Sequence, residues 1–483
     1  VQTIRAGRVL PSAPAAPLGP SQVDIGDDGR IAAVRPVGAG DLSASEARLM
    51  LMPALCNAHD HGRGLSTLAF GAVDQALETW IPDLARQPKI DPYLNAAVAF
   101  ARLAESGVAA VNHCHNTQDS AALLSEAEAV SRAARDVGIA VAFAWPFFDR
   151  NPFVYGPLEG MIEYIPAPYR DTVAGRGTGF RTCAQNMALI EQAAAFEHPL
   201  FKIQYHPVAP QWAQDETLAT IAEASQRDGR RIHIHLLETE RQREWADSEY
   251  PQGFLAFLDS IGLLSPRLTV AHAVWLRADE CALLAKRGVT VSINLSSNLR
   301  LRSGLPPLCA LAGARTPVAV GLDGMSLDDD QDMLRELRLV HHGFARPPVG
   351  HPAIDPAMIL DGAIRIGRRT ILGEDGGGRI APGAPADLLA LDFAALAYDD
   401  VTGAPDAIGL LLGRAQRRHV VRLIVGGREI VADGRCRTVD PPALESLLIE
   451  QARLAYRTSP PDEALIRGIQ RAVCGYYEAD LHR

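Results

Sequence analysis

Val108-Ala109-Ala110-Val111-Asn112, then an Ala-, Glu- and Arg-rich stretch over 119–136, then Ile139-Ala140-Val141-Ala142-Phe143: this segment reads as strand, helix and strand. Short apolar runs without polar alternation suit strands buried on both faces of a parallel sheet. The unit recurs further along. Ile232-His233-Ile234-His235 precedes a charged helix from 238, and Leu268-Thr269-Val270-Ala271 precedes a helix over 277–287. Val289-Thr290-Val291-Ser292-Ile293 and Val318-Ala319-Val320-Gly321 complete the series. Alternation from about 53 to 375 predicts an α/β fold of parallel βα units, most simply a (β/α)8 barrel of the TIM type.

The flanks read differently. Residues 1–52 hold short strands, with Gly26-Asp27-Asp28-Gly29 as a hairpin turn between Val23-Asp24-Ile25 and Ile31-Ala32-Ala33-Val34. Strand-like runs return within 376–440, at 386–392 and 420–431, and 441–483 has a helical pattern. The strands of both ends are expected to form one small composite β domain. Residues 150–185, rich in Gly, Pro and Tyr, interrupt the barrel rhythm. They read as a long loop, either a lid over the barrel mouth or a surface excursion.

The chain has 483 residues, 47% hydrophobic and 22% charged, which excludes long disorder and a disulfide-stapled miniprotein. A net charge of −10 argues against a nucleic-acid partner. Lys stands only at 89, 202 and 286. Seven Cys, odd in number and without a C-x-x-C, predict reduced thiols. No run approaches 18 apolar residues, and the first residues lack a basic-then-apolar signal, so no membrane partner and a cytoplasmic location are expected.

Histidine carries the functional signal, because most His residues between 59 and 272 end apolar runs. Strand C-termini converge on one mouth of a βα barrel, where active sites sit. His59-Asp60-His61 places two imidazoles on one side of a strand, as one metal ion requires. In His233-Ile234-His235-Leu236-Leu237-Glu238 an imidazole and a carboxyl share a rim. His233 is an alternative ligand on the same face, and the spacing to Glu238 favours His235. His272 ends another run. Asp323, before Gly324, suits a turn residue in isolation. In the order H-x-H, His, His, Asp at successive strand ends, it reads as a ligand and proton acceptor.

The segments "PALCNAHDH" (53–61), "LETWIPDL" (77–84), "YHPVAP" (205–210), "VAHAVWL" (270–276), "SINLSSNLRLRSG" (292–304), "VGLDG" (320–324) and "GRIAPGAPADLLALD" (378–392) carry a resemblance. The chain resembles the amidohydrolase superfamily, in the branch of cytosine, guanine and S-adenosylhomocysteine deaminases and triazine hydrolases. The resemblance implies a distorted barrel with a β-sandwich-like domain from both chain ends. It implies one divalent ion per chain, Zn²⁺ or Fe²⁺, held by His59, His61, His235 and Asp323. Three imidazoles and one carboxylate suit either metal and leave a position for water with a pKa near ~7.

By the same resemblance Glu238 is the proton shuttle, His272 orients the attacking water and Asp323 also takes its proton. His206, Trp80 and a loop carrying Asn298 face the substrate. The implied activity is hydrolytic deamination of an aminated purine, pterin, pyrimidine or triazine. Release of chloride or an alkylamine, or opening of a cyclic amide, is the alternative. A homodimer is implied as well.

Three features depart from the pattern. His61 is followed by Gly62-Arg63-Gly64. His113-Cys114-His115 is an extra H-x-H, read as a pocket-lining His115, with a further metal motif as the other reading. Lys202, with His235, His272 and Asp323, also fits a two-metal site bridged by a carboxylated lysine. His198, His341, His342, His351, His419 and His482 lack strand-end context and are expected at the surface.

Overall fold

A computed structural model describes residues 2–344 and 354–483. Eight parallel strands lie side by side in chain order. They are β1 (Leu55–Asp60), β2 (Val108–Cys114), β3 (Ala140–Phe147), β4 (Phe201–Pro207), β5 (Ile232–Leu236), β6 (Leu268–His272), β7 (Thr290–Ile293) and β8 (Val318–Val320). Nearly every strand residue is buried, as the unalternating apolar runs require. Helices such as Pro92–Glu105, Leu123–Val137 and Asp215–Asp228 cover the outside.

The ring closes between β8 and β1 through the chain just beyond β8. Leu322 and Asp323 donate their backbone N–H groups to His59 O, at 3.1 and 2.8 Å. Gly321 permits this approach, since a Cβ there would stand 2.8 Å from His59 N. A helical stretch over 356–372 packs against β1 and β8, and its last turn reaches β2 and β3. This wedge and the short β8 make the barrel irregular.

The chain ends assemble around a separate apolar core that includes Val9, Val23, Ile25, Leu51, Leu388 and Ile424. Gln2–Ala6, Ser21–Ile25 and Ile31–Pro36 form an antiparallel sheet with the expected hairpin. In the second sheet Leu49–Pro53 pairs antiparallel with Leu388–Asp392, joining the two termini. The run 420–431 is itself a hairpin, Val420–Val425 and Arg428–Ala432, turned at Gly426-Gly427. Helices Pro441–Thr458 and Glu463–Glu478 finish the chain.

The 150–185 segment is more ordered than a loop. It contains helices Leu158–Ile162 and Arg170–Arg176 and is tied to the last helix. Tyr476 Oη donates to Tyr155 O at 3.1 Å, and Tyr477 Oη accepts from Tyr155 N at 3.2 Å. Two of the His expected at the surface are buried, His419 and His482, the latter bonded to Glu244 at 2.7 Å. His342 is exposed, His198 and His341 are half-buried, and His351 lies outside the described residues.

Candidate active site

Three imidazoles and one carboxylate meet at the C-terminal mouth. Each imidazole has its Nδ1 committed. His61 Nδ1 donates to Cys114 O at 2.8 Å, and His235 Nδ1 donates to Val208 O at 2.7 Å. His59 Nδ1 faces His233 Nε2 at 2.9 Å. Such contacts set ring orientation and leave Nε2 as the free electron pair. Nε2 of His59 and His61 stand 3.1 and 3.0 Å from Asp323 Oδ1. Burial pushes the His59 imidazole down to about 4 and His235 well below its usual range, so both are neutral at pH 7. Burial acts upward on Asp323, but His59 and His61 beside it hold its carboxyl well below the usual range.

His59, His61 and Asp323 form one triad of donor atoms close enough to share a cation, and His59, His235 and His272 form another. His59 Nε2 and Asp323 Oδ1 are buried polar atoms without a hydrogen-bond partner. Buried polar groups are rarely left so, and a divalent cation satisfies both. The donor set therefore fits such an ion.

The groups suited to move protons stand beside these donors. Glu238, just beyond β5, is 3% exposed, and burial pushes its carboxyl up to about 7. Its Oε1 lies 3.7 Å from His272 Nδ1 and accepts from Ser303 Oγ at 3.5 Å. His272 Nδ1 donates to Asn298 Oδ1 at 2.8 Å, and its Nε2 lies 3.9 Å from Asp323 Oδ2. Ser297 Oγ donates to Asp323 Oδ2. His272 (φ +70°) and Asp323 (φ +60°) both have left-handed backbones. Strain of this kind, on the order of 1–3 kcal/mol per residue, persists where surrounding structure enforces it.

A cavity of about 670 Å³ opens above, with His61, His235, Glu238, His272 and Asp323 at its floor. Trp80, Phe148, Phe180 and Trp212 give it aromatic walls, and Arg63 and Arg181 add positive charge. Its size and mixed lining suit a planar, polar small molecule. Among the described residues no helix is long and apolar enough to cross a membrane.

The model of the amidohydrolase family matches residues 50–430. The chain belongs to that family. This amidohydrolase is 26% identical over 442 residues to a 5′-deoxyadenosine deaminase of Methanosarcina barkeri, covering 89% of this chain and 91% of the relative. It is 28% identical over 431 residues to an 8-oxoguanine deaminase of Pseudomonas aeruginosa, covering 86% and 91%. Among solved structures, a zinc-bound adenosine deaminase of Xanthomonas campestris superposes with a TM-score of 0.75 at 25% identity, covering 94% of this chain and 98% of that one. The protein is thus a hydrolase on an irregular (β/α)8 barrel, with a site for a divalent metal.

The amidohydrolase places several other expected residues apart from the cavity. His206 is buried, its Nδ1 donating to His233 O at 2.7 Å and its ring 5.3 Å from that of His235. Asn298, expected in a loop facing substrate, lies in helix Leu295–Arg300, wholly buried behind His272. Glu336 anchors that helix by accepting from Ser296 N at 3.0 Å. His115 and Trp80 do line the cavity. Both nitrogens of His115 are engaged, however, with His113 Nε2 at 3.1 Å and Glu126 Oε2 at 2.8 Å.

The second H-x-H is therefore a buried relay ending on a carboxylate, and neither His belongs to a metal-ligand group among the described residues. The bridging-lysine reading is overturned, because Lys202 is solvent-exposed near the start of β4, at the end of the strand away from the mouth. Two residues take roles other than those read from the sequence, which offered His233 as an alternative ligand and gave Ser297 none. His233 steadies His59, and Ser297 holds Asp323. The Ser296-Ser297-Asn298 run was the available signal for the second.

Proposed function

We propose that the chain is a metal-dependent hydrolytic deaminase of an aminated N-heterocycle. The observation that carries this is Glu238, a buried carboxyl pushed up to about 7 at the wall of an aromatic cavity, beside His272 and above Asp323. The relatives named as purine and nucleoside deaminases support it.

In this reading His59, His61, His235 and Asp323 hold one ion per chain, Zn²⁺ in preference to Fe²⁺. The ion supplies positive charge that makes water a nucleophile at neutral pH. The protein's own groups do the rest. Asp323 takes the proton of the attacking water, while Ser297 keeps its carboxylate in place. His272, fixed in one tautomer by Asn298, offers Nε2 as an acceptor that aims the water. Glu238, whose buried carboxyl keeps its proton up to about pH 7, donates to the ring nitrogen beside the attacked carbon. Its carboxylate then takes the hydroxyl proton of the tetrahedral adduct and passes it to the departing amine, which leaves as ammonia as the carbonyl forms, and the proton held by Asp323 restores Glu238. Trp80 and the other aromatic side chains stack on the ring and exclude water.

The proposal takes 53–375 as the catalytic unit, 1–52 with 376–440 as the composite β domain and 441–483 as a helical tail. Seven unpaired Cys support a cytoplasmic setting, and the homodimer rests on the resemblance alone. The test is ammonia release by the metal-loaded enzyme across aminopurines, pterins, aminopyrimidines and triazines. Silence toward all four classes at full metal content would refute it.

A further inference from the structure

Arg63 is a cation that the mechanism leaves unused. It is partly buried at the junction of the catalytic cavity and a side chamber of about 390 Å³, and it lines both. A guanidinium has five N–H donors. The hydrogen bond that Arg63 makes runs from Nη1 to the main-chain oxygen of Asp323, at 2.8 Å. Among the described residues it has no ion-pair partner within 4.0 Å, although most of this protein's buried Arg residues have one.

The carboxylates nearest to Arg63 are committed elsewhere. Asp60 accepts from Asn57 Nδ2, Gly62 N and Gly324 N, at 2.7, 2.7 and 3.1 Å. Asp323 faces His59, His61 and Ser297.

A second observation points the same way. The Arg63 guanidinium lies over the Trp80 ring, 5.5 Å from its centroid, and the Trp80 indole N–H is buried without an acceptor. The guanidinium thus has donors beyond its one bond to Asp323 O, and the neighbouring Trp80 N–H has no acceptor. A half-buried cation with spare donors facing a cavity is well placed to bind a ligand that supplies an acceptor. A bound divalent cation adds positive charge to the same floor, so an electron-rich group is favoured there.

We infer that Arg63 is a specificity-determining residue that binds an oxygen acceptor on the substrate. The preferred substrates are then aminated heterocycles bearing a ring carbonyl or a ring carboxylate, and rings carrying amino groups alone are poor ones. The inference rests on the deaminase reading for the amino group and goes beyond it in naming the neighbouring group. It also divides the relatives' substrates, since 8-oxoguanine carries such oxygens on its ring and 5′-deoxyadenosine does not.

The experiment pairs binding with turnover on the metal-loaded protein, wild type, Arg63→Gln and Arg63→Lys. The probes are 8-oxoguanine, 5′-deoxyadenosine, and an aminopyrimidine carboxylate with its uncarboxylated parent. Dissociation constants come from calorimetry, rates from ammonia release, and metal content is measured for every variant. Wild type should bind an oxygen-bearing probe more tightly than its counterpart. Loss of a charge-assisted hydrogen bond should weaken that binding by roughly 10- to 10²-fold in Arg63→Gln. The loss should exceed that for the counterpart without a carbonyl or carboxylate on its heterocycle by at least ~10-fold, with partial recovery in Arg63→Lys.

The two pairs distinguish a carbonyl from a carboxylate as the group read. Equal losses for both members of each pair, or no binding of any oxygen-bearing probe, overturn the inference. Arg63-dependent binding without ammonia release would instead uphold recognition and overturn the deaminase reading. Wild-type discrimination alone decides the matter should both variants lose their metal.

Discussion

Glu238→Gln separates the catalytic cost of a residue from its structural cost. The wild-type carboxyl is 3% exposed, near Asp323 and Glu78, and is pushed from an ordinary 4.5 up to about 7. An unfolded chain ionises this group near its ordinary value, whereas the folded chain keeps the proton until about 7. Stability is therefore lost as pH rises between those values, and the full penalty persists above them. A shift of that size corresponds to about 3 kcal/mol.

Gln is isosteric and cannot ionise, so the variant should melt higher than wild type at pH 8.5 and no higher at pH 4. Melting should be measured on protein stripped of metal by chelation, because a bound cation favours the carboxylate and shrinks the difference. After reloading, metal content should match wild type while ammonia release falls by at least ~10²-fold, the scale of general acid–base catalysis. Wild-type kcat/KM should decline as pH rises through the Glu238 ionisation, which a bound cation moves below the value of about 7 for the metal-free protein. Turnover within a few-fold of wild type would refute the shuttle role. A melting difference of the same size at both pH values would refute the burial argument.

His61→Ala removes an Nε2 that stands 3.0 Å from Asp323 Oδ1, so elemental analysis should show metal loss together with lost activity; full occupancy would remove His61 from the ligand set. Asn298→Ala strands the buried His272 Nδ1–H, with an expected cost of about 1–3 kcal/mol in denaturant unfolding and a lower kcat at unchanged metal content. Gly62→Ala would place a Cβ 2.3 Å from His113 Nδ1 at a φ of +62°, so stability should fall by more than ~1 kcal/mol, and unchanged unfolding would contradict that packing. Lys202→Ala, at an exposed position, should shift stability by no more than ~0.5 kcal/mol and leave metal stoichiometry unchanged.

The barrel was legible because its code is local. Runs such as Val108–Val111 and Leu268–Ala271 are too apolar and too short for anything but buried parallel strands, and helical stretches separate them. Once strands and their ends are assigned, the barrel rule collects His59, His61, His235, His272 and Asp323 at one mouth without further information. The composite β domain followed similarly from strand-like runs at both termini, although the pairing of Leu49–Pro53 with Leu388–Asp392 spans more than 300 residues.

What stayed hidden depends on which atoms meet across that mouth. His115 looked like a substrate contact, yet Glu126 and His113 occupy both its nitrogens. Asn298 looked like a pocket residue, yet its helix turns it onto the back of His272. Lys202 shares a strand with His206 and still reaches solvent, because it lies near the strand's opposite end. Sequence alone therefore determined the residue types and the rim on which they stand, since hydrophobic periodicity and strand polarity are properties of short segments. Only the tertiary structure decided which imidazole nitrogen is free, which carboxyl keeps its proton and which cavity arginine is left without a carboxylate beside it. Those depend on burial and on hydrogen bonds between strands far apart in the chain.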